Sequence, residues 1–569
     1  MTKKETIIVL LSVTLCWSSA YIFIKDLSGY FSAFAYLTLT SGTAGIGLAI
    51  YARKLFRKLN RQTLLYSFIL SVFITGSLIF EKLSLDHLSA SQVSALATAN
   101  IILVPLILII KKQFPTRNNV VGIVILIAGL YIAGYLNMEG DHSLPGILFV
   151  LTSCLFMSLY TVFGVDYARQ VEPMLLTVLQ LLFTALFALI LWIIFEPGTF
   201  TTIPLNLELV SYIVIIAFFS KAFAYVMLMY AEKYADALTV TIMAACSPIV
   251  TLIFALIIPN IEGTKEGFSV RTLAGTCIVA LGAVVAGTDF LSPKKHTETV
   301  QTAGSAPADP MEEIPLQDSS DEDKGSHLGS WLNTFFSITV LFCLLVASVN
   351  LMSFADGYSK LRPVNLISVP AGLLYGPVGA AACAFGNLLA DGLTDFGLVG
   401  ILGVLANFLA AYLPYKLWKA YAGDRVDCHT WKRLLLYIWA SFLSSLVCAS
   451  ILTFGSEINF GMFLDDLLPG VFANNFMFAL GFGLPAFIVL SVSDSSERSN
   501  LSTYRSGCGL RILKPLSGWS RRLFVVTTVL FSVTGILYLQ DYQWSNSILM
   551  KVLVTLEALH LALLCLIPS

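Results

Sequence analysis

The sequence predicts an all-α polytopic membrane protein, and three observations carry that prediction. The chain is 57% hydrophobic and 12% charged, with a mean hydropathy of +0.81, more apolar surface than a soluble core of its size encloses. Apolar windows long enough to cross a bilayer as helices recur from end to end. Lysine and arginine collect in alternate gaps between those windows, as they do in cytoplasmic loops.

The first apolar run follows MTKKE directly and has no small-residue cleavage site, so it reads as a retained helix and not a signal peptide. Ten spans are expected near 6–24, 31–52, 64–85, 90–110, 119–136, 145–164, 174–195, 207–230, 237–258 and 271–289. Residues 290–329 include TAGSAPADPMEEIPLQDSSDEDKGS, rich in proline, serine and acid. Such a stretch buries too little apolar area to fold and reads as a disordered linker. Spans resume near 331–352, 364–376, 377–393, 398–416, 433–455, 466–492, 523–540 and 547–567. The expected division is therefore a first domain over 1–289, the linker 290–329, a second membrane domain over 330–492, a basic loop 493–522, and two additional helices in 523–569.

Positive charge sets the orientation. Lys3 and Lys4 precede the first span, Arg53, Lys54, Arg57, Lys58 and Arg61 follow the second, and Lys111, Lys112 and Arg117 follow the fourth. All lie on one side if the N-terminus is cytoplasmic, and the opposite loops NMEGDHS and EPGTFTTIPLNLE have neither residue type. Lys265 and Arg271 break the pattern, accompanied by Glu262 and Glu266. Ten crossings return Lys294, Lys295 and the linker to the cytoplasm. In the second domain, Lys416, Lys419, Arg425, Lys432 and Arg433 form one basic group, and Arg498, Arg505, Arg511, Lys514, Arg521 and Arg522 another. Both are cytoplasmic only if 364–393 crosses twice, reversing near Gly376. The expectation is a multi-pass protein of the cell membrane with both termini in the cytoplasm.

The net charge of −1, and the absence of a basic run interleaved with aromatics, exclude nucleic acid as a partner. Cys16, Cys154, Cys246, Cys277, Cys343 and Cys448 lie inside apolar spans and read as small buried hydrophobes, so no disulfide framework, metal site or cofactor is expected. No G-x4-G-K-[ST] motif occurs, so energy has to come from a gradient or a separate partner.

The first ten spans contain a repeat. VVGIVILIAGLYIAG and LAGTCIVALGAVVAG place Gly122, Gly129 and Gly134, and Gly275, Gly282 and Gly287, at identical spacing after Arg117 or Arg271. CWSSAYIF at 16–23 and CLFMSLYTVF at 154–163 likewise open their halves. With five spans in each copy, about 5–137 and 145–289, the second must be inverted. Inverted repeats mark secondary transporters, with the solute site near the midplane between the copies.

These segments resemble the EamA-type drug/metabolite transporter family over about residues 5–290: WSSAYIFIK near the start, LDHLSASQVSALATANIILVPLILII leading to R-x4-G-x6-G, and AEKYADALTVTIMAACSPIVTLIFALII in the second repeat. The resemblance implies a ten-helix, 5+5 bundle that moves a small metabolite. The second span, FSAFAYLTLTSGTAGIGLAI, lacks the arginine such helices often carry, and KKQFPTR lacks the acid common after the fourth span, so no substrate preference carries over. In the second domain, VPAGLLYGPVGAAACAFGNLLADGL and VGILGVLANFLAAYLPYKLWK resemble the six-helix S component of energy-coupling factor vitamin transporters over about 331–492, with Asn387 where an acid is frequent. That likeness implies a solute-capturing bundle with a separate energising subunit. It gives 523–567 no role beyond extra helices.

A charge at the bilayer centre costs about 3 kcal/mol on insertion scales and usually faces a cavity or a partner. Glu81 lies in ITGSLIFEKLSL and Lys221 midway along YIVIIAFFSKAFAYVMLMY, on corresponding spans of the two repeats. Read functionally, they line a transport cavity and take up a coupling proton or bind a charged solute. Read structurally, they form an ion pair or Lys221 snorkels. Lys82 points about 100° away from Glu81 and, nearer the helix end, is expected to snorkel. Trp17, Tyr21, Thr98, Asn100, Tyr160, Gln180, Tyr225 and Ser247 are further cavity candidates, with interhelical hydrogen bonding as the competing role. Pro105 and Pro248 either free carbonyls at a cavity wall or simply kink their helices. In the second domain, Gly379, Cys383, Gly386 and Ala390 have the spacing of close helix contact. Asn387, Asp391 and Asp395 share a face if the helix continues past Gly392. With Asn474 and Asn475 they would form an outer pocket for a small polar metabolite, against the reading of a solvated helix end.

An integral-membrane enzyme would need clustered histidines and acids or a nucleophile–base pair, and the six histidines are scattered. A solute sensor or scaffold would carry an output module, and the longest soluble stretch is the linker. The reading that remains is a secondary transporter. It would move a small metabolite of the vitamin, amino acid or nucleoside class by alternating access, with the second domain capturing the solute.

Overall fold

The computed structural model describes residues 1–27, 30–112, 117–133, 143–201, 206–257, 270–287, 323–351, 362–394, 398–423, 426–460, 467–493, 517–540 and 548–565. Among them every regular element is helical, and fourteen helices are long and apolar enough to cross a membrane. The first repeat runs α1 (Lys3–Asp26), α2 (Ala33–Tyr51), α3 (Arg61–His87), α4 (Ala90–Ala97), α5 (Asn100–Ile110) and α6 (Arg117–Ala133). The second runs α7 (Ser143–Ala168), α8 (Pro173–Phe195), α9 (Leu207–Ile216), a π-helical turn (Ala217–Phe223), α10 (Ala224–Glu232), α11 (Ala237–Ala244), α12 (Ser247–Ile257) and α13 (Val270–Gly287).

Each repeat breaks its fourth span at the same point. The half-helices are 8 and 11 residues long in both copies, α4 with α5 and α11 with α12, separated by two turn residues. Ser89 and Asp236 start the two spans by accepting from the Gln92 and Thr239 backbone N–H groups. Pro248, the second residue of α12, has no N–H to offer the Ala244 carbonyl, which favours the break there. Pro105 lies inside α5.

The glycine spacing shared by the repeats is the seam that joins them. A Cβ on Gly275 would lie 2.3 Å from the Ala133 nitrogen, one on Gly129 2.6 Å from the Val279 nitrogen, and one on Gly282 2.6 Å from the Leu126 nitrogen. Helices α6 and α13 therefore run antiparallel with their backbones in contact, which only glycine allows at those positions. Gly134 lies outside the described residues.

The second half runs α14 (Asp323–Asn350), α15 (Asn365–Thr394), α16 (Leu398–Tyr421), α17 (Trp431–Phe460), α18 (Leu467–Phe478), a second π-helical turn (Ala479–Gly483), α19 (Leu484–Ser493), α20 (Ser517–Gln540) and α21 (Ile548–Cys565). Helix α14 starts inside the stretch read as linker. The rest of the linker lies outside the described residues, as do Glu262, Lys265, Glu266, Arg425, Arg498, Arg505, Arg511 and Lys514.

Helix α15 is a hairpin. Gly376 has φ 56° and ψ −133°, and Gly379 packs on the backbone of Ala371, so the chain reverses between the limbs. The first limb, about 11 residues and so about 16 Å long, covers roughly half the hydrocarbon core. Lys416, read as a loop residue, is buried inside α16 beside Tyr412. The apolar helix simply continues past it to Tyr421.

The two halves share one packed interface. Phe219 and Phe223 of the first π-turn meet Phe478 and Phe482 around the second, with ring centroids 5.4–6.5 Å apart. Arg53 Nη2 donates to Asn333 Oδ1 at 2.7 Å, Glu5 Oε1 and His429 Nδ1 lie 2.8 Å apart, and Lys4 Nζ sits 4.2 Å from the centre of the Trp431 ring.

A cavity between the two broken helices

A broken span interrupts the backbone ladder, and in a membrane such a break is braced by further hydrogen bonds from the protein. The structure supplies them in matched fashion. From α1, Thr14 Oγ1 donates to the Met243 carbonyl at 3.0 Å and Ser18 Oγ to the Ser247 carbonyl at 3.3 Å. From α7, the Cys154 thiol donates to the Leu96 and Ala97 carbonyls at 3.8 and 3.6 Å, and Ser158 Oγ to Asn100 Oδ1 at 3.2 Å. Each helix of one repeat thus holds the break of the other with two residues spaced four apart on one face. The equivalence pairs Thr14 with Cys154 and Ser18 with Ser158, two residues off the register that CWSSAYIF and CLFMSLYTVF suggest.

Between the breaks lies a cavity whose wall includes Trp17, Tyr21, Glu81, Thr98, Asn100, Tyr225 and Ser247. Ser247 Oγ lies 2.8 Å from Ser18 Oγ and 3.1 Å from Ser94 Oγ, and Thr251 Oγ1 donates to Ser94 Oγ at 2.9 Å. Ser77 and Ser153 approach to 3.1 Å across α3 and α7. Glu81 is the charged side chain among the described wall residues. The Tyr21 hydroxyl faces it, and Lys221 is the cation acting on it.

Lys221, Tyr160 and Gln180 stand outside this wall. Lys221 is 1% exposed in the first π-turn, its Nζ 5.8 Å from the Tyr36 ring centre and 6.0 Å from that of Tyr225. Tyr160 packs edge-on to Tyr225 at 6.1 Å, and Gln180 Nε2 donates to its hydroxyl at 3.1 Å. Tyr160 and Tyr225 thus form a layer of which Tyr225 faces the cavity. Lys82 is 1% exposed and donates to Asp86 Oδ1 at 2.8 Å, one turn on toward the end of the same helix.

A family model described as the EamA-like transporter family matches residues 4–135 and 144–288, one copy for each repeat. The first half of the chain belongs to the EamA-like transporter family. It is 25% identical over 284 residues to an uncharacterized transporter of Archaeoglobus fulgidus, a match covering 50% of this chain and 98% of the relative. It is 34% identical over 120 residues to an uncharacterized transporter encoded in the sor 3' region of Acidianus ambivalens, covering 21% of this chain and 45% of the relative. The protein is thus a multi-pass membrane transporter, and its family match ends where the acidic stretch begins.

Beyond the EamA-like half, the second-domain candidates fall into two pairs. Asn387 Nδ2 donates to Asp391 Oδ2 at 2.7 Å, with Gly403 of α16 against both side chains. Asn475 Oδ1 accepts from Asn365 Nδ2 at 2.5 Å instead of facing Asn387. Arg362, whose carbonyl accepts from Asn365, bears electrostatically on Asp391 and so links the pairs. Asn474 is half-buried beside Asn475, and Asp395 lies outside the described residues. Sequence reasoning missed Thr14, Ser18, Ser94 and Ser158, although a pair of side-chain donors four apart on the first span of each repeat, Thr14 with Ser18 and Cys154 with Ser158, was a readable signal. It also missed Glu232, although the residue lies in the quoted segment AEKYADALTV.

Proposed function

We propose that the EamA-like half moves a small metabolite by alternating access through the cavity between the α4–α5 and α11–α12 breaks, with Glu81 carrying a coupling proton. The observation that supports this most is a lone carboxylate in a wall built from both repeats, at two mid-span breaks of the kind that bind solutes in inverted-repeat transporters. Trp17 and Tyr225 offer aromatic faces to the solute, and Thr98, Asn100 and Ser247 offer donors and acceptors for its polar groups. Lys221, beside the Tyr36 and Tyr225 rings, offsets the Glu81 charge when the proton leaves. The Lys/Arg distribution supports a cell-membrane protein with cytoplasmic termini. In the second domain, the buried Asn387 carbonyl oxygen, which has no hydrogen-bond partner, supports a pocket that captures a polar solute.

The test is uptake of labelled vitamins, amino acids and nucleosides into proteoliposomes, with and without a proton gradient. For a solute that accumulates, Glu81→Gln is expected to keep binding and lower gradient-driven accumulation at least about 10-fold, because the amide keeps the shape and loses the titrating group. Unchanged accumulation in Glu81→Gln would remove Glu81 from the coupling step.

A further inference from the structure

Glu232 is the last residue of α10 and is 0% exposed, with neither carboxylate oxygen hydrogen-bonded. Burying an ionised carboxylate with no donor costs several kcal/mol or more, so the enclosed side chain is accommodated as the neutral acid. No donor among the described residues bonds either oxygen, and the Arg169 guanidinium of the adjoining turn is engaged with the Ala235 carbonyl. From α7 the titratable group bearing on it is Tyr160, and on its own helix it is Tyr225. At the start of α8 the charged group is Glu172, which accepts from the Tyr230 hydroxyl. From α1, α11 and α19 no charged side chain among the described residues acts on it.

The site is built for a carboxyl group. A Cβ at residue 164 would lie 2.5 Å from Glu232 Oε2, so Gly164, inside α7, leaves the berth open. Glycine in a helix interior costs roughly 0.5–1 kcal/mol relative to alanine, which the berth explains. The cover is thin. Tyr234, two residues on, is 42% exposed, and the turn is held by Arg169 Nη2 donating to the Ala235 carbonyl at 2.6 Å and Tyr230 donating to Glu172 at 3.1 Å.

We propose that Glu232 is a second proton-binding site of the transporter, on the far side of the Tyr160–Tyr225 layer from Glu81 and reached when the Arg169–Ala235 cover opens. The carboxylate takes one proton from water on that side and returns it there, with no other bond made or broken. The proposal rests on the transporter reading, because it is alternating access that would open the cover.

Infrared spectra of the purified full-length protein, wild type minus Glu232→Gln, test this without any solute. The glutamine is neutral and nearly isosteric, so folding is expected to survive, and size-exclusion chromatography checks it. The expected result is a protonated-carboxyl C=O band in the difference spectrum near neutral pH. It should convert to carboxylate as pH rises and persist in a Glu81→Gln background. No such band would mean that Glu232 is ionised and paired. A band that stays at every pH would mean that it is sealed from water. Either outcome overturns the proposal, and neither depends on whether Glu81 couples transport.

Discussion

The two polar centres of this protein are held in opposite ways. In the EamA-like half, the groups around the cavity come from both repeats, and each helix break is tied by residues of the other copy, Thr14 and Ser18 on one side and Cys154 and Ser158 on the other. In the second half, Asn387 bonds Asp391 one turn along its own helix and keeps a buried carbonyl oxygen unpartnered. Duplication provides two independent views of one geometry, so an unusual feature in one copy can be checked against the other. A single-copy bundle gives no such check, and its polar residues declare themselves only through what they fail to satisfy.

The largest effect expected from breaking this comparison is at the seam between the repeats. Gly275→Leu drives a side chain into the Ala133 backbone, which cannot yield as a flexible side chain would. The cost should reach or exceed about 3 kcal/mol, the upper range for overpacking. Gly47 has nothing within 4 Å of its would-be Cβ, and Gly47→Leu should stay within about 0.5 kcal/mol of wild type. Thermal unfolding of both in detergent checks the pair. A Gly275→Leu protein that melts like wild type would mean that α6 and α13 do not meet backbone to backbone.

That seam also marks what the sequence made legible. Identical glycine spacing is a local pattern, and close backbone contact is a direct physical reason for it, so the pairing of α6 with α13 could be anticipated from Gly122, Gly129, Gly275 and Gly282. The spans were legible because a bilayer enforces their length. Glu81 was legible because an intramembrane charge is costly anywhere. The placement of Lys221 was not, since the π-turn that sets it beside Tyr36 and Tyr225 leaves no sequence mark. The partner of Lys82, Asp86, is reached by helical spacing one turn on. Glu232 was hidden for the same reason that it stands out in three dimensions: its lack of partners is a property of everything around it.

An intermediate effect is expected at Asn387. In the unliganded protein its unpartnered oxygen is a standing cost, on the order of 1–3 kcal/mol for a buried unsatisfied group. Asn387→Leu removes that cost together with the bond to the partly exposed Asp391, so stability should be unchanged or higher. Any solute bound by the second domain should meanwhile bind about 1–2 kcal/mol more weakly, the scale of one buried hydrogen bond whose partner is left unsatisfied. Denaturation of the full chain alongside equilibrium binding separates the two readouts. A clear loss of stability with no change in binding would make Asn387 a structural residue, and the contrast between the two centres would then be one of packing alone.

The smallest effect sharpens the comparison most. If Thr14 and Cys154 are equivalent positions, the EamA-like half has a strong donor at one break and a weak one at the other. Thr14 donates to Met243 at 3.0 Å through a hydroxyl, whereas Cys154 reaches Leu96 and Ala97 only at 3.6–3.8 Å through a thiol. Threonine at 154 should then do for the α4–α5 break what Thr14 does for α11–α12. Interhelical hydrogen bonds in membranes average about 0.6 kcal/mol, so Cys154→Thr is expected to stabilise by up to about that amount, and Thr14→Cys to destabilise by a similar one. Paired unfolding measurements in one detergent would resolve the two signs even where the magnitudes are small. If Cys154→Thr destabilises by more than about 1 kcal/mol, the hydroxyl has no carbonyl to reach. The repeats would then be matched in the register of Cys16 and Cys154, and the two breaks would be held by unrelated contacts.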